Sequence, residues 1–385
     1  MDLLDDAAQI LADLVGFPTL TCESNLDLIA YAANRLEDAA TDLTLTHDPT
    51  GHKANLFATI GPMEDGGVVL SGHTDVVPVA EDRWTTPPFE LVRGGGRLFG
   101  RGTADMKGFL ACALAVATGY AESPLRLPVH LAMTFGEEIG CQGAPVLLEE
   151  LARTGPKPSA AIVGEPTSMR VVTAHKGCYE YTTTVTGLEG HGSTPARGVN
   201  AVEYAMKLVS RLVDLHAEFA GAAPADSPFD PPHTTISVGA VSGGTARNVI
   251  PGECTFEWEM RPIRRTDAEY VKRELALVAA RLESEMRRTY PEARIETVAV
   301  GEVDGLEPSL DSPAVGLMRN LLDSVEFDSA SYGTEAGLYA LAGIPAVVCG
   351  PGSIEVAHRP DEYLEVSQLE ACLGMMTRLG RFLTR

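Results

Sequence analysis

Long apolar runs are missing from this chain. No stretch reaches the roughly 18 consecutive apolar residues that span a bilayer, so the sequence predicts no membrane helix and no membrane partner. Positive charge is scarce: 30 Lys and Arg stand against 53 Asp and Glu, a formal net charge of −23. Phosphate contacts need clustered Lys and Arg. No such cluster occurs, which argues against nucleic acid as a partner, and the acidity reads as solvated surface. A disulfide framework is also lacking. The seven cysteines (Cys22, Cys112, Cys141, Cys178, Cys254, Cys349 and Cys372) are odd in number and include no C-x-x-C pair. That pattern fits reduced thiols in a cytoplasmic protein, with Cys112 in FLACALAV and Cys349 in PAVVCG as small core residues. There are no internal repeats and no low-complexity tract.

What remains is an ordinary globular composition, 45% hydrophobic and 22% charged over 385 residues, long enough for two domains. The opening MDLLDDAAQILADLVGFP is acidic and amphipathic, where a secretory signal would start basic and turn apolar. Leu3, Leu4, Ala7, Ile10, Leu11 and Leu14 have the spacing of a packed helix. Leu28, Ala32 and Leu36 predict a second helix behind a Ser24 N-cap. Strands are expected at 55–60, 68–71, 127–134 and 160–163, with a helix carrying Phe109, Leu110, Ala113, Leu114 and Ala117 on one face. Alternating helices and buried strands predict an α/β fold, a mixed, mostly parallel sheet flanked by helices.

The pattern changes near Gly177. A half-exposed strand is expected at 179–186, a helix at about 200–218, and two strands at 234–241 and 253–261. A second helix at about 267–289 and a strand at 294–300 follow. This βαββαβ order predicts an inserted ferredoxin-like α+β domain, with the Pro-rich loop 221–232 as an excursion from it. Past Glu302 the α/β character resumes, with helices at about 313–324 and 367–383 around a strand at 345–349. The expected division is therefore 1–177 and 303–385 for one split domain and 178–302 for the insert.

Five residues each follow a short apolar, strand-like run: His73 in VVLSGHTDVVP, Asp105 in GRGTADMKG, Glu138 in MTFGEEIG, Glu165 in IVGEPT and His358 in GSIEVAHRPDEY. Functional residues of an open α/β sheet gather past the carboxyl ends of its strands. Two histidines and three carboxylates there are a ligand set for two neighbouring zinc-class ions. Asp75 lies two residues beyond His73 and, in an extended segment, points the same way, so it is expected to accept the second imidazole N–H. Asp105 lies in a glycine-flanked loop and suits a carboxylate shared by two ions about 3.5–4 Å apart. Glu137 and Glu138 are adjacent and diverge, so one is expected as ligand and the other as base.

Six ordered motifs, SGHTDVVP, GRGTADMKG, FGEEIGCQG, GEPT, GHGSTPARGVNA and AHRPDEY, resemble those of the aminoacylase/carboxypeptidase family of dinuclear zinc hydrolases. The resemblance covers nearly the whole chain. It implies a zinc-peptidase-like catalytic domain, a lid and dimerisation role for the insert, a homodimer, and two Zn²⁺ per subunit, with Co²⁺ as an alternative. By position, His73 and Glu165 match the ligands of one ion, Glu138 and His358 those of the other, and Asp105 the bridge. Asp75 matches the orienting acid, Glu137 the general base, and Asp105–Met106 a cis peptide. His191 matches a histidine that stabilises the oxyanion in the partner subunit's site, although this chain has Gly192 where the family usually has serine.

The same resemblance implies an N-acylated amino acid as substrate. Asn248 and Arg261 match positions that bind its α-carboxylate, which a guanidinium suits through paired charged hydrogen bonds. Thr334 matches a polar substrate contact. Residues 332–363, with TPARGVNAVE and TAHKGCYEYT, point to the branch acting on N-acetyl-L-ornithine. Glu335 and Glu355 are then the candidates to meet the substrate ammonium. Succinyl-diaminopimelate, acetylcitrulline, other acylamino acids and dipeptides share the metal motifs and remain alternatives.

Overall fold

Strands buried on both faces require a sheet covered on both sides. Ala54–Ile60, Val68–His73, Val129–Thr134 and Ala160–Pro166 are buried along their whole length. The computed structural model describes residues 2–385. It joins these strands with four more in the order Asp42–His47, Ala54–Ile60, Val129–Thr134, Val68–His73, Ala160–Pro166, Ala346–Gly350, Val171–His175, Phe327–Ala330. The central strands, from Val129–Thr134 to Ala346–Gly350, run parallel. Asp42–His47 and Ala54–Ile60 on one side, and Val171–His175 on the other, pair antiparallel. The expected mixed, mostly parallel α/β sheet is the observed one.

Helices Leu3–Val15, Gly108–Ala121 and Val366–Leu383 share one core with the strands, where Leu11, Phe109, Ala113, Met375 and Leu379 meet Leu70, Leu131 and Ile162. Two glycines show how closely this core packs. A Cβ at Gly72 would lie 2.5 Å from the Met106 methyl, and one at Gly164 would lie 1.9 Å from the Phe109 ring. Each of these glycines precedes a predicted ligand, His73 or Glu165. The chain at both positions is pressed against the segment that carries Asp105.

The chain forms two compact units. One runs to Ala174 and resumes over Pro308–Ser329 and Thr334–Arg385; the other is His175–Glu307 with Ala330–Gly333. In the second unit Thr235–Gly243, Glu253–Arg261, Cys178–Thr186 and Arg294–Val303 form an antiparallel sheet in that order. Helices Ala201–Gly221 and Arg265–Met286 complete the βαββαβ arrangement. Every second residue of Cys178–Thr186 is buried, and Tyr181, Phe256, Trp258, Leu208 and Leu275 meet in its core.

Locally, two readings change. Ser24 is not the N-cap of Leu26–Leu36; Asn25 holds that position, and its side chain bonds Ala54 and Thr74 instead of the helix. Ser24 Oγ still accepts the Leu26 N–H at 3.2 Å. The strands Asp42–His47, Val171–His175 and Phe327–Ala330 were not expected.

Candidate metal centre

His73 closes the strand Val68–His73, and Glu165 lies near the end of the parallel neighbour Ala160–Pro166. Asp105 lies in Thr103–Lys107, the tight turn that enters the helix Gly108–Ala121. Gly102 begins that turn at φ +83°, a left-handed backbone suited to glycine, and the Asp105–Met106 peptide is cis. Glu137 and Glu138 form the short 3-10 turn that follows Val129–Thr134. His358 sits in the loop between Ala346–Gly350 and Tyr363–Glu365, itself at φ +60°.

All five predicted ligands converge. His73 Nε2 is 3.0 Å from Asp105 Oδ1 and 3.8 Å from Glu165 Oε1. His358 Nε2 is 3.2 Å from Asp105 Oδ2 and 3.0 Å from Glu138 Oε2. Asp105 thus presents one oxygen to each imidazole. Ligand atoms of His73, Asp105 and Glu138 lie within 4.8 Å of one another, as do those of His73, Glu137 and Glu165.

The electrostatics of this cluster call for cations. Burial, and then repulsion from Asp105 and the other acids, pushes Glu165 well above the usual carboxylate range. Burial likewise raises Glu137 and Glu138. Asp105 behaves oppositely: burial opposes its charge, but hydrogen bonds from His358 and His73 hold it well below the usual range. The same contacts with Asp105 and Glu138 raise His358 to about 10. Glu165 Oε1 is buried with no hydrogen-bond partner, which is costly unless something electropositive meets it. Four carboxylates around two imidazoles, one oxygen orphaned, fit a pair of divalent ions with nitrogen and oxygen ligands.

Asp75 differs from expectation. His73 Nδ1 lies 2.9 Å from the Asp75 backbone carbonyl, whereas the nearer carboxylate oxygen is 3.7 Å away. The carbonyl therefore accepts the imidazole Nδ1–H and turns Nε2 toward Asp105. The carboxylate is engaged elsewhere, accepting the backbone N–H of Glu137 at 3.1 Å and of Glu138 at 3.3 Å. Extended geometry correctly aimed the side chain, but two amides of the next strand's loop were stronger claimants than one ring nitrogen.

Other predicted residues separate into two groups. Thr334 is buried, and its hydroxyl accepts the Ala336 N–H at 3.1 Å at the start of a helical turn. Glu335, only 1% exposed, lies in the interior instead of an open pocket. Ser71 and Thr134 hydrogen-bond it, Tyr339 bonds Ser71 in turn, and burial raises it to about 7. A buried acid held beneath the His73 strand is poorly placed to greet a solvated ammonium, whereas Glu355 is exposed. In the second unit, His191 and Val249 pair in a two-stranded ribbon, and Gly192 N–H donates to the Asn248 carbonyl at 2.8 Å. A Cβ at Gly192 would lie 2.9 Å from that carbonyl oxygen, which accounts for glycine at this position. Arg261 is half-buried and donates Nε and Nη2 to Glu259 at 3.1 and 2.8 Å.

Reasoning from the sequence missed the contacts that brace the site. Asp361 accepts the backbone N–H groups of Thr85 and Thr86. Glu362 reaches Arg101 and the Asp105 loop. Both lie within the AHRPDEY motif, just before the strand Tyr363–Glu365, and that motif is the signal that could have found them.

A carboxylate and imidazole cluster with His73, Asp105 and Glu165 buried and His358 exposed on its open side, past the ends of parallel strands, has the ligand chemistry of a metal-dependent hydrolase. The family model for Peptidase family M20/M25/M40 matches residues 69–381, and the chain belongs to that family as a metallo-amidohydrolase. It is 36% identical to an acetylornithine deacetylase of Myxococcus xanthus over 98% of this chain and 97% of that one. It is also 36% identical to an acetylornithine deacetylase of Proteus mirabilis, over 96% and 95%. Among solved structures, an M20 family metallo-carboxypeptidase from Sulfolobus solfataricus superposes with a TM-score of 0.76 at 17% identity, covering 99% of each chain. The Bacillus subtilis YXEP protein, a dinuclear metal binding peptidase, gives 0.65 at 17% identity, covering 99% and 98%.

Proposed function

We propose that this chain hydrolyses the amide of N-acetyl-L-ornithine to acetate and L-ornithine, a cytoplasmic step of arginine biosynthesis, with two Zn²⁺ per subunit that Co²⁺ can replace. The observation that carries the reading is Asp105, with one oxygen at each histidine. In this reading His73 and Glu165 hold one ion, Glu138 and His358 the other, and Asp105 is shared. When bound, the ions polarise the amide carbonyl and let water act as a nucleophile near neutral pH. The choice of substrate is supported by the relatives, which are acetylornithine deacetylases matched along nearly the full chain.

Glu137 takes the proton from the attacking water and delivers it to the leaving amine. It is suited to this because its side chain stands beside His73 and Glu165 while its backbone is fixed by Asp75. The insert acts as lid and dimerisation domain, and His191 donates to the oxyanion in the partner subunit's site of a homodimer. Its Nδ1 lies 3.2 Å from the Ser193 backbone N–H, which can only donate. The neutral ring therefore carries its proton on Nε2, the tautomer a donor needs. Asn248 and Arg261 take the substrate α-carboxylate, for which Arg261 exchanges Glu259, and Thr334 supplies a polar substrate contact.

The test is kcat/KM of the metal-replete enzyme on N-acetylornithine against N-acetylcitrulline, N-succinyl-diaminopimelate, a neutral N-acetylamino acid and a dipeptide. N-acetylornithine is expected to lead the panel. A higher value for any other member reassigns the substrate within the same chemistry.

A further inference from the structure

Outside the ligand set, the Glu362 carboxylate is held by three donors. It is 1% exposed, and every contact it makes lies in one small region. Oε2 accepts Arg101 Nη1 at 2.7 Å. Oε1 accepts two backbone N–H groups, those of Ala104 at 2.9 Å and Asp105 at 3.1 Å. Arg101 is itself 3% exposed and stacks its guanidinium over the Trp84 ring, 5.1 Å from the centroid.

The strand register explains how Glu362 arrives there. Tyr363 pairs with Phe99 and Leu364 with Leu98 in an antiparallel ladder, which continues into the Gly100 N–H donating to the Glu362 carbonyl at 3.0 Å. Glu362 is thus set opposite Gly100, directly under the loop that turns into Asp105. Four residues earlier the same segment supplies His358, whose Nε2 faces Asp105 Oδ2. One short stretch of chain therefore touches Asp105 from two sides, at its backbone through Glu362 and at its carboxylate through His358.

We propose that Glu362 is a positioning residue for the shared metal ligand: its carboxylate, neutralised by Arg101, fixes the Ala104–Asp105 backbone so that each Asp105 oxygen is aimed at its own ion. The inference rests on the two-metal reading of the site. Its physical basis is that a buried carboxylate accepting charge-assisted and backbone hydrogen bonds at once is a rigid anchor, and that partners behind a ligand set the ligand's aim. A glutamine at 362 cannot serve the same three donors. Its oxygen accepts from either the guanidinium or the two amides, and its NH₂ group then faces a donor on the other side.

The experiment is a Zn²⁺ titration of metal-free Glu362→Gln by calorimetry, with the absorption spectrum of the Co²⁺-loaded protein and kcat and KM measured in parallel. The expected result is a wild-type-like far-UV spectrum, a metal affinity about 10–100-fold weaker, an altered Co²⁺ ligand-field spectrum, and a fall in kcat larger than any rise in KM. Glu362→Asp, which keeps the charge and retracts it by one methylene, should lose less and is the variant to measure if Glu362→Gln does not fold. Wild-type affinity and Co²⁺ spectrum in either folded variant overturn the proposal. If wild-type protein itself takes up fewer than two ions, it is the two-metal reading that fails. If Glu362→Gln loses metal as expected but neither protein cleaves N-acetylornithine, only the substrate assignment fails.

Discussion

Asp75 accepts the backbone N–H of Glu137 through Oδ1, 3.1 Å away, and the Glu138 N–H through Oδ2 at 3.3 Å. One buried carboxylate thereby sets the backbone of the proposed base and of a proposed ligand, while its own carbonyl holds the His73 ring. Asp75→Asn keeps the carbonyl but places an NH₂ group against one of two N–H donors. Activity should fall by about 10–100-fold, with metal affinity reduced through Glu138 and the His73 contact intact. Steady-state kinetics together with a zinc titration check this; unchanged values for both show that the two amides need no acceptor.

Glu137→Gln removes the base while leaving a similar shape beside His73 and Glu165. General-base catalysis contributes about 10²–10⁴-fold, so kcat should drop by that range with two ions still bound. Near-normal turnover in a fully metallated variant rules Glu137 out as the base.

His191→Ala should lower kcat by about 10²–10³-fold, the loss typical for one oxyanion donor, and leave metal content unchanged. If the histidine serves the partner's site, mixing inactive His191→Ala with inactive Glu137→Gln should restore part of the activity in the heterodimer. No recovery on mixing, with subunit exchange confirmed, places the histidine's action within its own subunit.

A pH effect is predicted away from the metal cluster, at His130. Its ring is buried, 3.1 Å from Thr59 Oγ1 and stacked on Phe57, and burial lowers it to about 4. The folded state thus binds its proton less readily than the unfolded state, whose imidazole titrates near the ordinary value. Its contribution to stability is present in full above about pH 6.5 and is lost as pH falls through 4, amounting to about 3 kcal/mol. Urea unfolding of metal-free wild type and His130→Gln from pH 7 to 4.5 measures this. The wild type should lose more stability than the variant over that window; parallel curves contradict the assignment.

Much of the site was legible in the sequence because its signals are local. His73, Glu138, Glu165 and His358 lie at or past the ends of strands of the parallel sheet, which carries such positions to one edge whatever the loop details, whereas Asp105 arrives in the glycine-flanked turn before Gly108–Ala121. The element order of the second unit was equally readable from its alternating strands and two long helices. What was not legible depends on tertiary partners. Asp42–His47 and Phe327–Ala330 are edge strands whose residues, Ala330 apart, are exposed or half-buried, so neither shows a continuous apolar run. The Asp75 carboxylate is taken up by the amides of Glu137 and Glu138, 62 and 63 residues along from it, and the His73 N–H goes to the Asp75 carbonyl instead. Glu335 reads as a candidate for the substrate ammonium because nothing in GTEAG reveals that it is buried and bonded by Ser71, which Tyr339 bonds in turn.

The most direct test of the account is reconstitution of chelator-treated enzyme with Zn²⁺ or Co²⁺, following N-acetylornithine turnover and bound metal in the same samples. Activity should be absent without metal and reach its plateau at two equivalents per chain, and Asp105→Ala should abolish that recovery. Full turnover by metal-free protein, or a plateau in Asp105→Ala equal to wild type, would contradict a catalytic centre built on a carboxylate shared between two ions.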